Sequence, residues 1–331
     1  MHLNDRARVI AETIMAEAGR LGVEVQRSAD GVHIVDCGVK MPGGNEAGLL
    51  VARAAMADLG SVELLPAGSP LPAHAAAWGA TCPWTLVSVF SETPVAACLA
   101  AQYAGWKVQE GKYFAMASGP LRAAIGREEL FDEIGLRERP SSAVGLLEAG
   151  KLPPESVCRQ LALDAGVAPE DLILLVARTA SPAGTLQVIA RSLETALHKL
   201  HDLHFDLRRI RRGTGAAPLA PVPADDLTAI GRTNDAILYG GCVTLEVTGD
   251  DASLAEIGEK MVSSASSSYG EPFCQLFAKA GHDFYALDPA LFAPARVELH
   301  NLDTGTRHIF GQLAPALVQT SFGVPTTPAG A

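Results

Sequence analysis

The sequence predicts an α+β protein of about two domains, and three observations lead there. The chain has 331 residues, where single domains run roughly 100–200 residues. Apolar residues make up 48% and charged residues 19%, a balance that buries a sizeable core and does not suit a disordered chain. Its first segments read helix, strand, strand, helix, strand, with short strands. That order fits layered α+β structure rather than a doubly wound parallel sheet.

Each element has a local reason. Residues 4–21 place Ala7, Ile10, Ala11, Ile14, Met15, Ala18 and Leu21 at helical spacing, and Gly22 follows as a stop. Residues 23–38 (VEVQRSADGVHIVDCG) read as a hairpin turning at 28–31. Residues 43–60 form a second amphipathic pattern, and 61–66 a short strand. The Pro/Gly/Ala-rich stretch 66–83 is a crossing loop or a boundary. Residues 93–105 predict a short helix with Thr93 as N-cap and Pro94 in its first turn. Residues 112–120 (KYFAMASGP) predict a strand running into a turn, and the apolar run 171–179 a buried central strand. Residues 181–210 carry the longest helical pattern, and 213–223 read as a loop. Residues 235–249 read as a strand interrupted at Gly240-Gly241 by a bulge or a close backbone approach. The expected division is 1–92 with 225–322 as one α+β domain and 93–224 as the other, with 323–331 as a mobile tail.

Charge and cysteine usage exclude several classes. Thirty-seven acidic residues against 26 Lys+Arg leave a net charge of -11. Such a field repels nucleic-acid phosphates and anionic membranes. No apolar run approaches the ~18 residues of a membrane helix, and charges interrupt the N-terminus throughout, so it lacks a signal-peptide core. Six cysteines lie far apart with no CxxC spacing. They read as reduced, mostly buried thiols of a cytoplasmic protein.

The strongest local chemical signal is Arg191 three residues before Glu194, on one helix face. It reads either as a carboxylate base beside its arginine or as a solvated helix ion pair. Glu194, His198 and His201 share a stripe that offers a metal-site alternative, without the H-E-x-x-H arrangement. Arg208, Arg209, Arg211 and Arg212 form a basic cluster, suited to an acidic substrate tail or to a solvated helix end. The glycine clusters match neither a phosphate loop nor a dinucleotide fingerprint. Pattern alone stops at a two-domain enzyme in which a carboxylate base is one open reading.

Three segments together resemble the methenyltetrahydromethanopterin cyclohydrolase family: residues 97–120 (ACLAAQYAGWKVQEGKYFAMASGP), 178–207 (RTASPAGTLQVIARSLETALHKLHDLHFDL) and 231–243 (GRTNDAILYGGCV). The resemblance runs from the N-terminal helix to about Phe322. It implies a homotrimeric cytoplasmic enzyme of two α+β domains with mixed sheets and a substrate cleft between them. It implies reversible hydration of an N5,N10-methenyl tetrahydropterin to the N5-formyl form, in methanogenesis or formaldehyde oxidation, with no metal and no redox cofactor. Glu194 is then the general base, Arg191 its orienting cation, and Lys112 a group that orients water or stabilises oxygen charge. Ser118 is expected to line the cleft, and Asn234 and Asp235 to meet the pterin edge. Arg208 and Arg209 are the candidates for contacting the substrate tail. The chain departs from common family wording at Pro182 and Ala117, both beside the expected cleft. Two competing readings are a pterin carrier-binding protein without catalysis and a metal-dependent hydrolase built on Glu194, His198 and His201.

Overall fold

The computed structural model describes residues 2–79 and 82–323. The expected tail therefore lies outside the described residues, apart from Gly323. The fold is α+β, built on two mixed six-stranded sheets. One contains β1 (Glu24–Arg27), β2 (His33–Gly38), β5 (Trp106–Glu110), β6 (Tyr113–Ser118), β7 (Ala143–Glu148) and β8 (Leu172–Ala177), in the order β1-β2-β8-β7-β6-β5. The other contains β3 (Ser61–Leu65), β4 (Leu86–Ser91), β9 (Ile210–Pro218), β10 (Cys242–Val247), β11 (Arg296–Asn301) and β12 (Arg307–Gly311), in the order β12-β11-β10-β9-β4-β3.

The sheets do not follow the expected division of the chain. Strands β1 and β2 precede residue 93 but pair onto β8, and β9 precedes residue 225 but lies between β4 and β10. Pairing partners far apart in sequence decide sheet membership, and local pattern does not report them.

The hairpin β1–β2 forms antiparallel as its turn residues require. Strand β8 is buried at every position and sits between two parallel neighbours, where an all-apolar run belongs. The first helix spans Leu3–Ala16, followed by a short helix Ala18–Leu21 that Gly22 ends in the left-handed region. Of residues 213–223, expected as a loop, 213–218 belong to β9 and only 219–223 are loop. Glycines Gly213 and Gly215 mimic a loop signal but serve close packing. A Cβ on Gly215 would lie 2.6 Å from Ser192 Oγ and 2.8 Å from Leu193 N. Residues 226–238 are helical (Asp226–Leu238), so β10 starts only after Gly240-Gly241. A Cβ on Gly241 would meet the Ile237 carbonyl at 2.6 Å, which makes the pair a close backbone approach. All six cysteines are free thiols, and five are buried. Among the described residues no helix is long and apolar enough to cross a membrane.

Candidate active site

The long helical pattern at 181–210 breaks into two helices, Pro182–Ile189 and Ser192–Asp202. Ser181 caps the first by accepting from the Gly184 N–H, and Pro182 occupies the first turn, where its missing N–H costs nothing. The residue at the junction is Arg191. Its position there turns the guanidinium away from solvent, and only 6% of the residue is exposed.

A second irregular element meets it. Residues Val95–Gln102 wind as a π-helix rather than the expected α-helix, and Pro94, not Thr93, stands at its start. Wide turns of this kind are frequent at functional sites. This one ends by aiming the Gln102 carbonyl at Arg191 Nη1, at 3.1 Å. Arg191 Nη2 donates to Ser118 Oγ at 3.1 Å and to Gln187 Oε1 at 3.0 Å. Among the described residues Arg191 Nε has no partner.

Glu194 sits one turn on, in the first turn of the Ser192–Asp202 helix, and is also 6% exposed. Its Oε1 is buried and has no hydrogen-bond partner among the described residues. The expected direct Arg191–Glu194 contact is not made, because Arg191 spends its Nη donors on Gln102, Ser118 and Gln187. The two interact through space. Burial pushes the Glu194 carboxyl up to about 7, and the charges of Arg191 and Arg122 offset part of that rise.

Both residues line a cavity of about 670 Å³. One wall carries Phe114 and Met116 of β6 and Glu148 at the end of β7. Another part of the lining carries Ile230, Thr233, Asn234 and Ile237 of the Asp226–Leu238 helix. A third carries Phe284, Tyr285, Leu287 and Phe292, backed by the ring of Phe273. Tyr103 also lines the cavity, held between the His198 ring at 4.4 Å and the Arg122 guanidinium at 4.7 Å. The lining carboxylates are Glu148, Glu194, Asp202 and Asp226, against the single guanidinium of Arg191 among the described residues. A lining of apolar and aromatic side chains with an acidic excess suits an aromatic cationic ligand.

The other expected site residues divide. Ser118 is buried and serves Arg191, and Asn234 lines the cavity while donating to the Ile230 carbonyl at 2.8 Å. Asp235 does not reach the cavity. It is fully buried and its Oδ1 accepts from the Phe273 N–H at 2.9 Å, tying the Asp226–Leu238 helix to the helix Phe273–Lys279. Helical rather than extended backbone at 234–235 explains this, since adjacent helix positions point about 100° apart. Lys112 is exposed in the β5–β6 turn and is not a lining residue. It shares the parity of Phe114 and Met116 but stands beyond the strand end. Lys107 pairs across from Met116 and lies 3.8 Å over the ring of Tyr285, without being a lining residue itself. Arg208 pairs with Asp206 at 2.8 Å, and Arg209 donates to the Thr248 carbonyl at 2.6 Å, both away from the cavity. His198 faces Asp202 at 3.4 Å and His201 turns to Glu133 at 3.2 Å. Among the described residues no three His, Cys, Asp or Glu side chains converge as a metal ligand set.

Glu148 was missed because an acid closing a strand carries no pattern of its own. The comparison with known proteins decides the family. The model of the family described as Cyclohydrolase (MCH) matches residues 2–322. The chain belongs to the methenyltetrahydromethanopterin cyclohydrolase family. It is 42% identical over 321 residues to the methenyltetrahydromethanopterin cyclohydrolase of Methylobacillus flagellatus, covering 97% of this chain and 95% of that protein. It is 43% identical over 314 residues to the protein of that name from Xanthobacter autotrophicus, covering 95% and 90%. The one from Methanosarcina mazei is 37% identical over 325 residues, covering 97% and 98%. Membership makes this chain an enzyme of the hydrolase type, a cyclohydrolase.

Proposed function

We propose that the enzyme adds water to the N5,N10-methenyl bridge of tetrahydromethanopterin, or a close analogue, and releases the N5-formyl form, reversibly. The observation that carries this reading is a buried carboxyl near 7 one turn from a fixed guanidinium, both lining one acidic, aromatic-lined cavity. A methenyl bridge is an amidinium cation, and its carbon is already electrophilic. The remaining need is a base for the attacking water and an acid for the departing nitrogen. A carboxyl that titrates near 7 serves both directions at neutral pH.

Glu194 takes one proton as water oxygen bonds to the methenyl carbon, giving a neutral carbinolamine. The C–N10 bond then breaks, N10 receives the proton from Glu194, and the hydroxyl proton leaves to solvent as the formyl C=O forms. One proton is released overall, which balances the charge of the cation consumed. Arg191 favours the ionised form of Glu194 through space and presents Nε–H as a donor for developing oxygen charge. Buried polar atoms left unpaired cost about 1–3 kcal/mol each, so the orphaned Glu194 Oε1 and Arg191 Nε suit a reacting oxygen better than a purely structural role. Tyr103, Phe284 and Phe292 supply stacking surface for the pterin and aryl rings.

We also place the enzyme in the cytoplasm as a homotrimer, as the family resemblance implies. Mixing the protein with the methenyl carrier and following loss of its chromophore tests the activity. Turnover dependent on the protein supports it, and an unchanged chromophore at saturating carrier contradicts it.

A further inference from the structure

One buried amide separates Arg191 from a second carboxylate. Gln187 lies on the last turn of the Pro182–Ile189 helix and is 1% exposed. Its Oε1 accepts from Arg191 Nη2 at 3.0 Å, and its Nε2 faces Glu148 Oε2 at 3.5 Å. Glu148 Oε1 accepts from the Thr179 hydroxyl at 2.5 Å. A side-chain amide has one accepting and one donating end. Here the accepting end must face the guanidinium and the donating end the carboxylate, so the sequence Arg191–Gln187–Glu148–Thr179 has one consistent direction.

The placement also guards against a competing arrangement. A guanidinium and a carboxylate in a low-dielectric site attract strongly and favour a bidentate pair. Glu148 carries the charge that most favours ionised Arg191, ahead of Glu194. Without the amide between them, the hydrogen bonds left to the Arg191 guanidinium among the described residues are those to Ser118 Oγ and the Gln102 carbonyl. A direct Arg191–Glu148 pair would draw the guanidinium away from Glu194.

We propose that Gln187 is a positioning residue for the hydration reaction: it holds the Arg191 guanidinium between Glu148 and Glu194 and prevents it from pairing directly with Glu148. This rests on the reading of Glu194 as the base. The other groups bearing on the pair are Arg122, which is paired with Glu128 at 2.5 Å, Asp202, Tyr103 and Cys98. Burial raises the Tyr103 hydroxyl and the Cys98 thiol, so both are neutral near pH 7.

The test compares Gln187→Met with the double variant Gln187→Met/Glu148→Gln, reading kcat against pH and the guanidinium NMR signals of Arg191. The signals are assigned by their loss in Arg191→Lys. Gln187→Met should lower kcat by roughly tenfold to a hundredfold, the scale of a misplaced catalytic group, and shift the Arg191 signals. Its acid limb should move to higher pH, because Glu194 loses its nearby cation. Removing the competing charge in the double variant should return the limb toward the wild-type position, whatever Glu148 contributes to KM. Gln187→Asn keeps the amide but draws it back by one methylene, and should fall between wild type and Gln187→Met. Unshifted Arg191 signals in both single variants, or a double variant whose limb lies no nearer wild type than Gln187→Met, would overturn the proposal. The reading of Glu194 fails separately, if Glu194→Gln retains the wild-type acid limb. The NMR arm needs no turnover and so still judges Gln187.

Discussion

Glu194 holds its proton up to about pH 7 because burial penalises its charge more than Arg191 and Arg122 offset that penalty. Stability follows from this with a definite sign. The folded value lies above the ordinary 4.5, so the folded state binds more protons between 4.5 and about 7. Stability is therefore lost as pH rises through that window and levels off above it. At about 1.4 kcal/mol per pH unit, the loss is on the order of 3 kcal/mol. Glu194→Gln carries no charge at any pH, so it should melt above the wild type at pH 8 and near it at pH 4. Thermal melts at both values check this, and an equal difference at the two would contradict it. The three-residue spacing of Arg191 and Glu194 was legible in the sequence, but spacing left a solvated ion pair open, and it was the family resemblance that singled the two out. Their actual relation was not legible, because competing partners on distant strands and turns draw the guanidinium aside. Lys112 and Asp235 were misplaced for a similar reason: a strand end and a strand-or-helix choice decide which way a side chain points.

At the scale of elements, the break at Arg191 and the glycines of β9 depend on each other. The Ser192–Asp202 helix seats its first residues directly on β9, where Gly213 and Gly215 leave room for Leu193 and Ser192. Gly215→Ala places a Cβ 2.8 Å from the Leu193 backbone nitrogen, and that contact cannot be relieved by a rotamer change. It should cost about 1–3 kcal/mol, the usual range for overpacking, and lower kcat by lifting the turn that carries Glu194. Denaturant melts together with turnover check it; wild-type values for both would show that the seating is loose. Single-sequence reading found β1, β2, β3, β6 and β8, where composition and turns agree. It missed β9 because its glycines look like a turn, and it extended β10 into a helix because Ala236, Ile237 and Leu238 are apolar in either state.

At the scale of the whole molecule, the α+β class was legible from element order, but the assignment of strands to sheets was not. Parallel pairings such as β2 with β8 join residues more than a hundred positions apart, and no local signal encodes them. The site is correspondingly non-local. Its lining comes from β6, β7 and the two helices that follow β8, all of one sheet, and from the Asp226–Leu238 helix and a Phe-rich segment that follow β9 and β10 of the other. Assembly belongs to this scale as well. Light scattering at micromolar protein should return about three times the 34.5 kDa chain mass, and a monomer mass would contradict the proposed trimer.

The most direct test of the account is the turnover of Glu194→Gln on the methenyl carrier, followed by the loss of its chromophore. The substitution keeps the shape of the side chain and removes its basicity. The account predicts a fall of roughly 10²–10⁴-fold in kcat, the usual worth of a positioned acid–base group, with carrier binding retained and the acid limb near 7 abolished. Near-wild-type turnover in a variant with an intact circular dichroism spectrum would contradict it.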